Sequence, residues 1–114
     1  MTPKTLDFKL SVVLLHEGEI WGAQCLQYDI AAQGKTIVDA KDAFCRTVAG
    51  QIGVDLHHNV EPLSGFSPAP PVYWDHFKKG ERLLDRQPIY ILTDSSVPPA
   101  FTIRAMADEF RIGV

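Results

Sequence analysis

A chain of 114 residues, 46% of them hydrophobic, has the length of one domain and enough apolar mass to build a core without metal or disulfide staples. No run approaches the roughly 18 to 20 apolar residues that cross a bilayer, and residues 1–7 carry no signal-peptide core, so no membrane association and a cytoplasmic address are expected. A net charge of −3 and a pI near 5.7 argue against phosphate-driven nucleic-acid binding, which needs a clustered basic surface.

The acidity is uneven: residues 1–65 hold five Lys/Arg against eight Asp/Glu, and residues 66–114 hold six of each. An acidic first half suits a basic partner. Seven of the eight prolines fall between Pro62 and Pro99, which divides a regular first half from a punctuated second. Cys25 and Cys45 stand far outside any Cys-x-x-Cys spacing and read as small core residues.

From Leu6 to Leu14 the residues alternate, with Leu6, Phe8, Leu10, Val12 and Leu14 on one side and Asp7, Lys9 and Ser11 on the other. That period of two predicts a strand with one buried face. Glu17-Gly18 supplies a turn, and Glu19 to Tyr28 resumes as a second strand. A two-residue loop would oppose Leu14 to Trp21, Val12 to Ala23 and Leu10 to Cys25, giving one apolar face across the hairpin. Ile30 to Gln33 follows as a short third strand, ahead of Gly34.

Thr36 is suited to an N-cap, and Asp39 three residues later favours the positive end of a helix dipole. Ile37, Ala40, Phe44, Val48, Ile52 and Leu56 then recur at helical spacing, which predicts a long amphipathic helix ending between Gly53 and His58. Residues 59–71 are a Pro-rich loop, Val72 to Leu84 a short second helix, and Ile89 to Leu92 a strand. Ile103, Met106, Ala107 and Phe110 fit helical spacing, although the same stretch also reads as a strand. The expected fold is therefore α+β: residues 1–114 form a single domain, with a β-β-β-α core over residues 6–58. In it, an antiparallel three-stranded sheet carries a long helix on one face, and residues 59–114 form a Pro-rich C-terminal extension.

The order Trp21, Asp29-Ile30, Gly34, Thr36 and Asp39-Ala40 resembles the HicB-like antitoxins, over roughly residues 8–55. In that family an aromatic residue in the second strand precedes an acidic-apolar corner, a Gly, a hydroxyl N-cap and an acidic-Ala pair in the first helical turn. The resemblance implies a β-β-β-α-β, partial ribonuclease-H-like layout. It also implies a non-catalytic bacterial protein of a toxin-antitoxin system that binds a small basic ribonuclease toxin. Family members that repress transcription carry a C-terminal DNA reader; residues 94–114 are too short for a helix-turn-helix, and direct DNA binding is not expected.

The chemistry-bearing residues offer no convergent site. His57 and His58 are adjacent, so their side chains diverge by about 100° on a helix and cannot easily share an ion. Asp7, Glu17, Glu19, Asp29 and Asp39 fall at separated ends of the predicted elements, whereas a two-metal nuclease needs carboxylates around ions about 4 Å apart. No serine lies in a Gly-x-Ser-x-Gly elbow, and there is no phosphate-binding Gly-rich loop. No cofactor, metal ligand or catalytic residue is assigned.

What remains is the hairpin face opposite the helix, where Val13, Leu15, Ile20, Leu26 and Tyr28 are expected to project. That is too much apolar area to leave in water. It would be covered by the chain's own tail, by a second copy in a homo-oligomer, or by a foreign partner such as a toxin, and these five residues are the candidate protein-binding set. The alternative to an antitoxin is a self-assembling regulatory or small-ligand-binding module on the same scaffold, with Tyr73, Trp74 and Phe77 above a pocket.

Overall fold

A computed structural model describes residues 4–91 and 101–113. In chain order the elements are strands β1 (Lys4–Glu17), β2 (Ile20–Cys25) and β3 (Ala31–Gly34), helices α1 (Ile37–His57) and α2 (Pro71–Lys79), and strands β4 (Glu81–Arg82), β5 (Gln87–Ile89) and β6 (Phe101–Ile112). The strands form one sheet in the order β3-β2-β1-β6-β4, with β5 also pairing to β6. β1 and β6 run parallel along their length, and the other pairings are antiparallel.

The hairpin forms because the alternation on β1 meets a glycine that can take positive φ. Gly18 sits at φ 62°, at the first of two loop positions, where a type II′ turn needs it. The loop is Gly18-Glu19, so Val12 pairs with Cys25 and Leu14 with Ala23. This register lies two residues from the expected pairing of Leu14 with Trp21. An even slip preserves which side chains share a face, so the apolar face of the hairpin survives it.

Helix α1 begins where its sequence signals it: the Thr36 hydroxyl accepts the Asp39 backbone N–H at 3.0 Å, and His58 closes the other end. Gly34 is required by the joint that precedes it. A Cβ there would lie 2.5 Å from Ala40 N and 2.7 Å from Asp39 Cβ, so only glycine lets β3 end this close to the first helical turn. The core lies between α1 and the sheet, where Leu10, Val12, Leu14, Ala23, Cys25, Phe44, Val48 and Ile52 meet Leu63, Ile89, Ala107 and Phe110. Both halves of the chain thus supply one hydrophobic cluster.

Asp55 ties the following loop to α1. Its carboxylate accepts the Leu63 backbone N–H at 2.8 Å and the Gln51 amide at 3.0 Å. Leu63 is fully buried at φ 64°, a left-handed conformation that costs a non-glycine residue about 1–2 kcal/mol, offset here by burial and by this bond. Buried Lys41 of α1 pairs with Asp85 and lies 4.8 Å from the centre of the Phe110 ring.

The antiparallel three-stranded sheet expected from sequence is overturned by this six-stranded mixed sheet. The cause is β6. Its register against β1 slips between Leu10–Ala107 and Ser11–Glu109, leaving Asp108 as the extra residue of a bulge. The bulge shifts the alternation by one, so the core-facing Ile103, Ala107 and Phe110 stand four and three residues apart and mimic a helical stripe. The second helix is also shorter than the predicted Val72–Leu84, stopping at Lys79 before Gly80, with β4 following. Leu92, at the end of the predicted strand, lies outside the described residues.

Candidate protein-binding surface

The hairpin face opposite α1 divides into a covered and an open half. α2 and the end of β6 cover the half over β1. Val13 is fully buried there, and the backbone at Gly113 is so close that a Cβ would lie 2.9 Å from Val13 Cγ2, 2.5 Å from Leu15 Cδ2 and 3.3 Å from His76 Cβ. Arg111 fixes α2 from beneath: its guanidinium lies 4.6 Å from the centre of the Phe77 ring and donates to the Phe77 carbonyl at 3.4 Å. Glu109 sits between Arg82 at 3.0 Å and Arg111 at 3.3 Å and bridges the two cations. At the start of α2 the Trp74 indole donates to the Ala69 carbonyl at 3.1 Å, while Ala69 N–H donates to Leu26 O at 2.9 Å, bringing the loop over Leu26.

The half over β2 and β3 stays open. A cavity of about 250 Å³ is floored by Gly22, Ala31 and Gln33 and walled by Leu15, Ile20 and Tyr73, with Glu17 at its rim. Ile20 is 44% exposed. Gln24 in the floor is satisfied within the chain, donating to Asp29 Oδ1 at 2.9 Å and to the Cys25 carbonyl at 3.0 Å.

Beside this groove runs the free edge of the sheet. Cys25 N–H donates to Ile30 O at 2.9 Å and Leu26 N–H to Ser11 O at 3.0 Å, which fixes the alternation of the ladders. Ala32 and Gly34 then face β2 with their backbone groups, and Ala31 and Gln33 turn theirs outward, where no described residue meets them. The edge reads Ala-Ala-Gln-Gly, with no proline, charge or bulge to blunt it. The opposite edge is blunted: β4 is only Glu81–Arg82, β5 holds Pro88, and Arg82 and Arg86 form ion pairs with Glu109 and Asp108.

Of the five residues expected on this face, Ile20 and half-buried Leu15 line the open groove, and Val13 and Leu26 are buried beneath the chain's own second half. Tyr28 lies elsewhere. β2 ends at Cys25 and the chain bends over residues 26–28, so alternation no longer applies, and the Tyr28 ring packs edge-to-face on Phe8 at 5.8 Å on the core side. Its hydroxyl pKa is raised by burial. Tyr73 was expected only above a ligand pocket, with Trp74 and Phe77, and Ala31 and Gln33 not at all; the absence of charge from the third strand is the sequence signal that could have found this edge.

The candidate reactive groups remain dispersed. Asp7 stands opposite Arg104 on β6 and Glu17 opposite Ile20 at the hairpin, roughly 33 Å further along an extended strand. The His58 ring is hydrogen-bonded through Nδ1 to Val54 O, and the His16 ring stacks on Trp21 at 4.4 Å. No three His, Cys, Asp or Glu side chains converge as metal ligands among the described residues. Burial raises the thiol pKa of both cysteines, that of Cys45 to about 11. No described helix is long and apolar enough to cross a membrane.

Comparison with family models, with curated proteins and with solved structures returns no match.

Proposed function

We propose that this chain is a non-catalytic protein-binding domain that acts as a HicB-like antitoxin, covering and neutralising a small basic ribonuclease. The observation that carries the reading is the unblunted β3 edge beside an open apolar groove. Unpaired N–H and C=O groups there can accept a strand, and the groove can take its alternate side chains.

The charges around it suit a basic partner: Glu17 lines the rim and exposed Asp29 precedes the edge, against Lys35 alone at its far end. The residues that carry the family likeness do structural work, since Gly34, Thr36 and Asp39 make the β3–α1 joint. They support a shared scaffold, and the partner surface lies next to them.

The reading requires an adjacent reading frame that encodes a small basic protein, and the test is co-expression of that protein with this chain in bacteria. The wild-type chain restores growth, and Ile20→Arg, which places a cation in the groove, does not. Equal rescue by both would remove the groove from the account.

A small-ligand module is favoured by one other feature, a groove of about 540 Å³ along α1 lined by Arg46, Val54, His57 and Tyr90. A ligand held there raises the melting temperature of the wild-type chain and not of Arg46→Ala.

A further inference from the structure

We propose that the β3 edge is also where the chain meets a second copy of itself, in one defined antiparallel register with its two-fold axis at Ala32. This goes beyond the antitoxin reading and does not rest on it: the same outward groups of Ala31 and Gln33 serve either a partner strand or a second copy, so the dimer is the state of the chain without its partner.

The register follows from the edge. Only Ala31 and Gln33 of β3 turn their backbone groups outward, and in an antiparallel pair the outward residues of one strand must meet those of the other. The pairing that satisfies both copies sets Ala31 against the second copy's Gln33 and Gln33 against its Ala31, with Ala32 facing Ala32 across the axis. Each such pair exchanges two bonds, so every outward group of β3 is satisfied.

The flanking charges agree with the same register without having been used to choose it. Centred on Ala32, the end of β3 that Asp29 precedes in one copy meets the end that Lys35 follows in the other, which brings these exposed, oppositely charged residues to the same corner at both ends of the interface, next to Ser67, whose carbonyl accepts the Asp29 N–H at 2.7 Å. A shift of the axis by one residue along the strand would keep the alternation but leave one of the two outward residues without a partner in β3 and separate the charges. The chain is therefore complementary to itself here, as an isologous contact requires.

The axis of such a pair stands perpendicular to the sheet, so both open grooves lie on the same side. They join into one cleft running over β2, β3 and the second copy's two equivalent strands, about 14 Å across, walled at each end by Tyr73. One dimer thereby offers a surface that one copy does not.

The proposal is tested by analytical ultracentrifugation of the full chain from micromolar concentrations to about 1 mM, with cysteine cross-linking to fix the register. The wild-type chain is expected to dimerise. Gln33→Pro is expected to sediment as a monomer with unchanged circular dichroism, because the N–H it removes bonds no described residue. Opposed non-hydrogen-bonded residues lie about 4.5 Å apart between Cα atoms, within disulfide reach. Ala32→Cys is thus expected to form a covalent dimer under mild oxidation, and Ala31→Cys and Gln33→Cys are not. A wild-type monomer throughout the range, a dimer that survives Gln33→Pro, or equal cross-linking at positions 31, 32 and 33 would each overturn it.

Discussion

The same substitution at two glycines is expected to act in opposite directions. At Gly34 an added Cβ meets Ala40 N at 2.5 Å, Asp39 C at 2.6 Å and Asp39 Cβ at 2.7 Å, mostly backbone that cannot rotate away. The joint between β3 and α1 must open, and overpacking of this kind costs about 3 kcal/mol, the upper end of its usual range. At Gly50, inside α1, a Cβ meets nothing within 4 Å, so Gly50→Ala gains only helix propensity, about 1 kcal/mol. For a chain of this size 1 kcal/mol moves the melting temperature by about 4 °C. Gly34→Ala should therefore melt about 12 °C lower than the wild type and Gly50→Ala about 4 °C higher, followed by circular dichroism at 222 nm and by urea unfolding. An unchanged Gly34→Ala, or a shift of the same sign in both variants, would refute the geometry of the joint.

Three further outcomes follow from the polar contacts. Lys41 is buried while its partner Asp85 is half-exposed, so Asp85→Ala, which strands a buried cation, should cost about 3 kcal/mol by chemical denaturation, and Lys41→Met less than half of that. Asp55→Ala removes the acceptor that holds the Leu63 amide and should cost about 2 kcal/mol, with faster proteolysis in residues 59–66 as an independent readout. Cys45 keeps its proton in the folded chain up to about pH 11 but has an ordinary value of 9.0 when unfolded. Because the folded value is the higher one, its contribution to stability is complete below pH 9 and declines as the pH rises from there towards 11, and Cys45→Ala should flatten that alkaline slope in unfolding measurements.

The first half of the chain was legible because each element carried its own local signal. Alternation marked β1, the Thr36 hydroxyl and the Ile37–Leu56 stripe marked α1, and Gly18 marked the hairpin. Even the slip in hairpin register did no harm, since faces depend only on parity. In the second half the Pro-rich loop and α2 were legible, and the last strand was left ambiguous for a physical reason: β6 pairs in parallel with β1, a contact between residues nearly one hundred positions apart in sequence, and its bulge at Asp108 gives a strand the spacing of a helix. That strand and α2 cover Val13, and the loop at Ala69 covers Leu26, so the predicted binding face shrank to the part over β2 and β3. Ile20 and Leu15 were legible as members of it. Tyr73 was legible as part of a pocket but not as a neighbour of the hairpin face, because its place there is set by the loop that anchors Trp74 and Ala69.

The central claim is that the surface over β2 and β3 binds and silences a basic ribonuclease. Its most direct test is RNA cleavage by the small basic protein that the reading requires an adjacent reading frame to encode, titrated with the wild-type chain and with Ile20→Arg and Tyr73→Ala. Cleavage should stop at a fixed stoichiometry with the wild type and persist with both variants while their melting curves stay unchanged. Full inhibition by the variants, or no inhibition by the wild-type chain at any ratio, would contradict the account.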